Sequence, residues 1–167
     1  MRRFWSRVET PFQPMAAWVD EDGRLLRFHL RAAGAVTVDP HAAHDPARLA
    51  EVQRQVTDYC EGRRTDFDLE LAPEGPPFEM TVWQALRAIP FGTTTSYGAI
   101  ARTIGQPGAA RAVGAANNAN PIALVIPCHR VIGADGQLVG YGGGLALKRK
   151  LLEHEARVCG TRYDLFG

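Results

Sequence analysis

Hydrophobic and polar positions change period along this chain, and the change divides it. Residues 15–19 and 25–30 are two apolar runs with partial alternation around the polar turn Asp20-Glu21-Asp22-Gly23, which predicts a β-hairpin. After Asp45-Pro46, the residues Leu49, Val52, Val56 and Tyr59 recur at spacings of three and four, the signature of an amphipathic helix that stops at Gly62. Phe67, Leu69 and Leu71 alternate with Asp68 and Glu70, which predicts a strand with one wet face. Pro73 to Pro77 then interrupts any regular element and marks a boundary between domains 1–75 and 76–167. Beyond it the pattern is helical. Phe78, Val82, Trp83, Leu86 and Ile89 form one stripe closed by Pro90-Phe91-Gly92. Thr95 or Ser96 can cap a second helix that ends at Gly105, and a third runs from near Pro107 toward Asn118, so the pair predicts a helix-turn-helix. Residues 122–126 read as an apolar, strand-like segment, and 145–155 as a final helix after a glycine-rich turn. The fold class expected is an α/β N-terminal domain with a small antiparallel sheet and a mostly helical C-terminal domain.

Bulk properties narrow the function. An apolar content of 46% over 167 residues suits a chain that buries a core. No apolar run approaches the roughly 18 residues needed to cross a bilayer, so no membrane role is expected. Three cysteines, an odd number without a CxxC pair, together with the lack of a signal-like start, favour a soluble protein of a reducing, cytoplasmic compartment. The net charge of +1 conceals an asymmetry. Residues 1–75 carry 10 Arg and Lys against 13 Asp and Glu, whereas residues 76–167 carry 9 against 5, a net +4 that suits a polyanionic partner for the second half.

The candidate chemistry gathers in that half. Ile126-Pro127-Cys128-His129-Arg130-Val131 places a thiol directly before an imidazole, with Asn120 upstream and Glu155 downstream. Taken alone, Cys128 is either a buried small hydrophobe or a nucleophile. A carboxylate at Glu155 that holds one ring nitrogen of His129 would free the other to take the thiol proton. Asn120, ahead of Pro121, is either a helix stop or an amide tie to the loop that carries the thiol. Arg111 is either a solvated helix residue or, as the one long side chain among Ala109, Ala110, Ala112, Ala115 and Ala116, a group that enters a groove. Tyr97 and Tyr141 each adjoin a glycine, where a ligand can come near. His41, His44 and Cys60 lack the paired thiol spacing of a zinc site, and Gly142-Gly143-Gly144 lacks the Lys-Ser/Thr of a phosphate loop.

The segments FEMTVWQALRAIPFGTTTSYGAIA, GAARAVGAANNANPIALVIPCHRVIG and GYGGGLALKRKLLEHE closely resemble the O6-alkylguanine-DNA alkyltransferases, or methylated-DNA–protein-cysteine methyltransferases. Residues 1–72 are compatible with that family's variable N-terminal domain. The resemblance implies direct repair of O6-alkylguanine in double-stranded DNA by irreversible, stoichiometric transfer to Cys128. It makes His129 a water-mediated base, Glu155 its orienting carboxylate, Asn120 a hydrogen-bonding brace and Tyr97 a contact and proton donor to the flipped guanine. Arg111 becomes the finger that fills the gap in the duplex, carried by a helix in the minor groove. Tyr141 and Gly142 line the alkyl and base pocket, and backbone groups near Cys128 and Val131 read guanine edges. Asn117 stands where some relatives have an apolar residue, which bears on packing against DNA. No cofactor, metal or obligate protein partner is implied. The other readings are a noncatalytic sensor of alkylated bases and a cysteine hydrolase, which differ from alkyl transfer in leaving no stable mass increase.

Overall fold

The computed structural model describes residues 1–141 and 143–160. Residue proximity divides the chain into two units, one of residues 1–74 with 121–125, the other of residues 75–120 and those from 126 onward.

In the first unit, β1 (Arg3–Val8), β2 (Met15–Asp20) and β3 (Leu25–His29) form an antiparallel meander, to which β4 (Ala43–His44) adds a parallel edge beside β1. The sheet is therefore mixed, in the order β3-β2-β1-β4, where the sequence predicts an antiparallel one. The central strand β2 is buried along its whole length, as a strand covered on both faces must be. Asp20 sits at the hairpin corner, where its Oδ1 accepts the backbone N–H groups of Asp22 at 2.9 Å and Arg24 at 3.0 Å. A short helix, α1 (Ala35–Val38), precedes β4. A 3-10 turn over Pro46–Leu49 then leads into α2 (Ala50–Cys60), which buries Val52, Val56 and Tyr59 as its apolar stripe predicts.

Two segments correct the sequence reading. Residues 67–71 form no strand. The Gln55 amide donates to Asp68 O at 2.9 Å and its oxygen accepts from Asp68 N at 2.8 Å, while Leu25 N donates to Glu70 O at 2.8 Å and Ala72 N to Leu25 O at 2.8 Å. Phe67 stacks on Tyr59, and the single bridge of this stretch joins Leu71 to Leu25. Residues 122–126 likewise turn instead of extending. Leu124 adopts φ 70°, a left-handed conformation that no strand holds. Phe28 N donates to Pro121 O at 2.9 Å and Ala123 N to Phe28 O at 3.1 Å, and these bonds join 121–125 to the first unit.

The second unit is mostly helical, with α3 (Pro77–Arg87), α4 (Tyr97–Thr103), α5 (Ala110–Asn118) and α6 (Leu145–Cys159). Pro at the first turn starts α3, and Ser96 Oγ caps α4 by accepting from Ala99 N at 3.1 Å. Helices α3, α4 and α5 pack on one another, and α4 and α5, joined through Gly105 at φ 77°, form the helix-turn-helix. Trp83 anchors α3 to α5 by donating its indole N–H to Ala116 O at 2.8 Å. Between α5 and α6 a 3-10 turn, Cys128–Arg130, runs into β6 (Val131–Ile132), which pairs in parallel with β5 (Thr95–Ser96). Among the described residues no helix is long and apolar enough to cross a membrane.

Candidate active site

Short-range geometry explains why residues distant in sequence meet here. The β5–β6 pair sets Thr95 beside Val131 and Ser96 beside Ile132, so the next residue, Tyr97, begins α4 alongside the Cys128 turn. Lys148 and Glu155 lie seven residues apart on α6, two turns on the same face. Cys128, His129, Arg130, Lys148 and Glu155 are all buried.

His129 Nε2 lies 2.6 Å from Glu155 Oε2. Glu155 also accepts from Arg130 Nε at 2.8 Å, Arg130 Nη2 at 3.1 Å and Gly92 N at 3.3 Å. Burial works against a charged carboxylate, but His129 and Arg130 outweigh it and hold Glu155 well below its ordinary value. The carboxylate is ionised, so the His129 nitrogen that faces it carries the proton. His129 Nδ1 is buried and has no hydrogen-bond partner among the described residues, which leaves it as the lone-pair nitrogen. Burial depresses the His129 pKa despite the pull of Glu155, and a neutral imidazole is the form able to accept a proton.

The other residues predicted for the site are placed as follows. Asn120 Nδ2 donates to Ile126 O at 2.9 Å, tying the end of α5 to the approach to Cys128. Asn117 is buried on α5, and its Nδ2 lies 3.5 Å from Cys128 O. Tyr97 is half-buried, with its hydroxyl 3.5 Å from Val139 O. Burial raises its pKa, and Cys128 adds to the effect. Tyr141 has its hydroxyl buried, and burial, Cys128 and Glu155 push its pKa well above the ordinary value. Val131 is fully buried, and its N–H returns to Cys128 O. Arg111 stands apart from this cluster, on an exposed face of α5 shared with Ala112 and Ala115. Gly142 lies outside the described residues.

Residues 77–157 match the family profile described as 6-O-methylguanine DNA methyltransferase, DNA binding domain. The methylated-DNA–protein-cysteine methyltransferase of Methanosarcina acetivorans is 43% identical over 152 residues, which cover 91% of this chain and 97% of that protein. This chain belongs to the methylated-DNA–protein-cysteine methyltransferase family. Its counterpart in Mycobacterium leprae is 56% identical over 118 residues, 71% of this chain and 72% of that protein. The crystal structure of Mycobacterium tuberculosis OGT in complex with DNA superimposes with a TM-score of 0.86 at 43% identity, covering 93% of this chain and 94% of that one.

Sequence reasoning passed over two cations at the centre of this methyltransferase fold. Arg130 was visible only as a letter in the motif. Lys148 is fully buried and donates to Val131 O at 2.6 Å and Val139 O at 2.8 Å, bracing both ends of the loop after Cys128. Burial lowers its pKa to about 8, and Cys128 favours its charged form. The signal for Lys148 was its spacing of seven from Glu155 on a helix whose Leu147, Leu151 and Leu152 face the core. His44 lies with its ring centroid 4.8 Å from that of Trp5, and no group of three or more metal-binding side chains occurs among the described residues.

Proposed function

We propose that this chain repairs O6-alkylguanine in double-stranded DNA by moving the alkyl group onto Cys128 in a single turnover. The observation that supports this reading best is the buried thiol next to an imidazole whose Nε2 is committed to Glu155 and whose Nδ1 is left as an acceptor. The family to which the chain belongs carries out this methyl transfer, and one of its members is solved on DNA.

In this mechanism α5 enters the minor groove, and its small exposed face lets the backbone approach closely. Extruding the damaged nucleotide costs a few kcal/mol, and Arg111 offsets part of that by occupying the gap. The flipped base lies between Tyr97 and Tyr141, with backbone groups around Cys128 and Val131 against its edges and Asn117 beneath. His129 takes the Cys128 proton through one water. The thiolate then attacks the alkyl carbon; the S–C bond forms as the C–O6 bond breaks, and Tyr97 donates a proton to the departing guanine. Asn120 holds the thiol loop to α5 throughout. Guanine is restored in the DNA, and a thioether, a poor leaving group, stays on sulfur, which limits each molecule to one event. No cofactor enters these steps. Residues 1–75 support, residues 76–167 carry DNA and chemistry, and Cys60, Cys128 and Cys159, held outside any disulfide, suit the cytoplasm.

The test is intact-protein mass after incubation with excess duplex containing O6-methylguanine, followed by peptide mapping. One methyl increment on Cys128 per molecule, with an equal amount of guanine restored, is expected. Unchanged mass despite lesion binding would turn the reading to a sensor. Repeated turnover would turn it to another chemistry.

A further inference from the structure

Arg130 has no part in the mechanism above, yet it makes more polar contacts with Glu155 than His129 does. Arg130 is 6% exposed, and its guanidinium grips both carboxylate oxygens in a fork, Nε to Oε1 at 2.8 Å and Nη2 to Oε2 at 3.1 Å. Its third nitrogen, Nη1, donates to Ile89 O at 2.8 Å, and its Cζ lies 5.5 Å from the centre of the Phe91 ring. Together with His129 Nε2 and Gly92 N, the fork fills the acceptor capacity of the carboxylate. Gly92 belongs to the same clamp. It holds φ 79°, and a Cβ there would meet Cys159 Sγ at 2.4 Å, so the turn is seated tightly against α6.

A buried carboxylate whose one strong partner is an imidazole stabilises the imidazolium, which has no lone pair left for a thiol proton. A guanidinium on the same carboxylate changes this. It satisfies the oxygens with a charge that does not titrate, and it opposes a second positive charge next door. The groups around the pair are Arg130 and Cys128 from its own turn, Glu155 and Lys148 from α6, and Tyr141 from the loop before α6. Among these, Arg130 is the one whose planar guanidinium meets both carboxylate oxygens at once.

We propose that Arg130 is a positioning residue for alkyl transfer: its fork pins Glu155 as a saturated acceptor, so that His129 rests as the neutral Nε2–H tautomer with its lone pair on Nδ1. Through Nη1 it also holds the Ile89–Gly92 turn, which leads into β5 and Tyr97. This inference rests on the reading of Cys128 and His129 given above.

The experiment compares full-length wild type with Arg130→Gln and Arg130→Lys. Single-turnover methyl transfer is followed from about pH 5 to about pH 9, where imidazole changes charge. Side-chain nitrogen NMR reports His129 directly, assigned by the signal lost in His129→Gln. In wild type the neutral Nε2–H form is expected at neutral pH. In Arg130→Gln, transfer near neutral pH is expected to slow by about tenfold. Its acid limb should move up by about one pH unit, with imidazolium signals to match. Arg130→Lys, which keeps charge but not the fork, should have a lower plateau with the acid limb close to wild type.

A folded Arg130→Gln with an unmoved acid limb and unchanged tautomer overturns the proposal, as does a wild-type His129 that is already imidazolium or Nδ1–H. Should Arg130→Gln not fold, an Arg130→Lys protein with the wild-type plateau overturns it instead. Failure of the wild type to gain a methyl group would sink the parent reading, and the tautomer in wild type and Arg130→Gln would then decide the role of Arg130.

Discussion

The two units treat charge in opposite ways. In the first, the ion pairs Arg7–Glu9, Arg54–Glu51 and Arg63–Glu61 lie at the surface over an apolar interior, and the buried Asp20 holds a local turn and pairs at 2.7 Å with Arg24, which reaches solvent. In the second, His129, Arg130, Lys148 and Glu155 are drawn inside together. Exposed pairs are screened and contribute little. Buried ions each cost several kcal/mol of desolvation, which their attraction repays only with saturated hydrogen bonding, and packed hydrophobes would often serve stability as well. A polar interior held at that cost points to a task, and here the task is to keep one imidazole neutral and one carboxylate charged.

The contrast breaks most sharply at the thiol. Cys128→Ser keeps the shape of the buried side chain, so thermal stability should change little while methyl transfer, read by intact mass, falls by at least about 10³-fold. If the serine protein still gains a methyl group, the acceptor is elsewhere.

Glu155→Gln should be the most destabilising change in the network. It leaves the Arg130 charge buried without its counter-ion, a loss of about 3–5 kcal/mol in denaturant unfolding, and slows transfer by roughly 10²–10⁴-fold. The sign with pH follows from both partners. The folded pKa of Glu155 lies below its ordinary 4.5, so its contribution is full above that value and is lost as pH falls toward the folded value. The His129 pKa is lowered from 6.5, so the unfolded chain takes up that proton first and stability already declines as pH drops through 6.5. Acid denaturation of the wild type should show both steps, and Glu155→Gln should lose the lower one.

Lys148→Met removes the donor from two carbonyls and should cost about 1–3 kcal/mol. Lys148 titrates at about 8 when folded and 10.5 ordinarily, so between these values the unfolded chain holds more protons and wild-type stability gains with rising pH. The methionine variant should lack that gain in a pH series of unfolding curves. Arg111→Ala should sharpen the comparison from outside the network, slowing transfer from duplex by roughly tenfold while leaving reaction with the free O6-methylguanine base unchanged. Arg54→Ala, at a surface pair of the first unit, should leave the unfolding midpoint within measurement error. A clear drop there would undo the contrast between the units.

Legibility followed the range of the forces involved. Helices α2 and α3 could be read from their apolar stripes because one face of each meets a core. Strand β1 was missed because Ser6 lies on its buried side between Phe4 and Val8 and spoils the alternation. Residues 67–71 alternate in exposure without forming a strand, since Gln55 takes both backbone groups of Asp68 and the pairing with β3 is confined to the bridge at Leu25. In 122–126 the apolar run suggested extension, but β3 captures Pro121 and Ala123 through Phe28 and leaves Leu124 in a turn.

The order of residues by itself determined the helical stripes, a cap at Thr95 or Ser96, the proximity of Cys128 to His129 and, through the motif, the family. Periodicity and covalent adjacency are local, and they survive in a string of letters. The tertiary structure alone decided that Glu155 takes four donors, that Arg130 reaches it with a fork while holding Ile89, and that Lys148 points inward. Those outcomes depend on which groups lose water together, and desolvation is a property of the packed chain that no single position encodes.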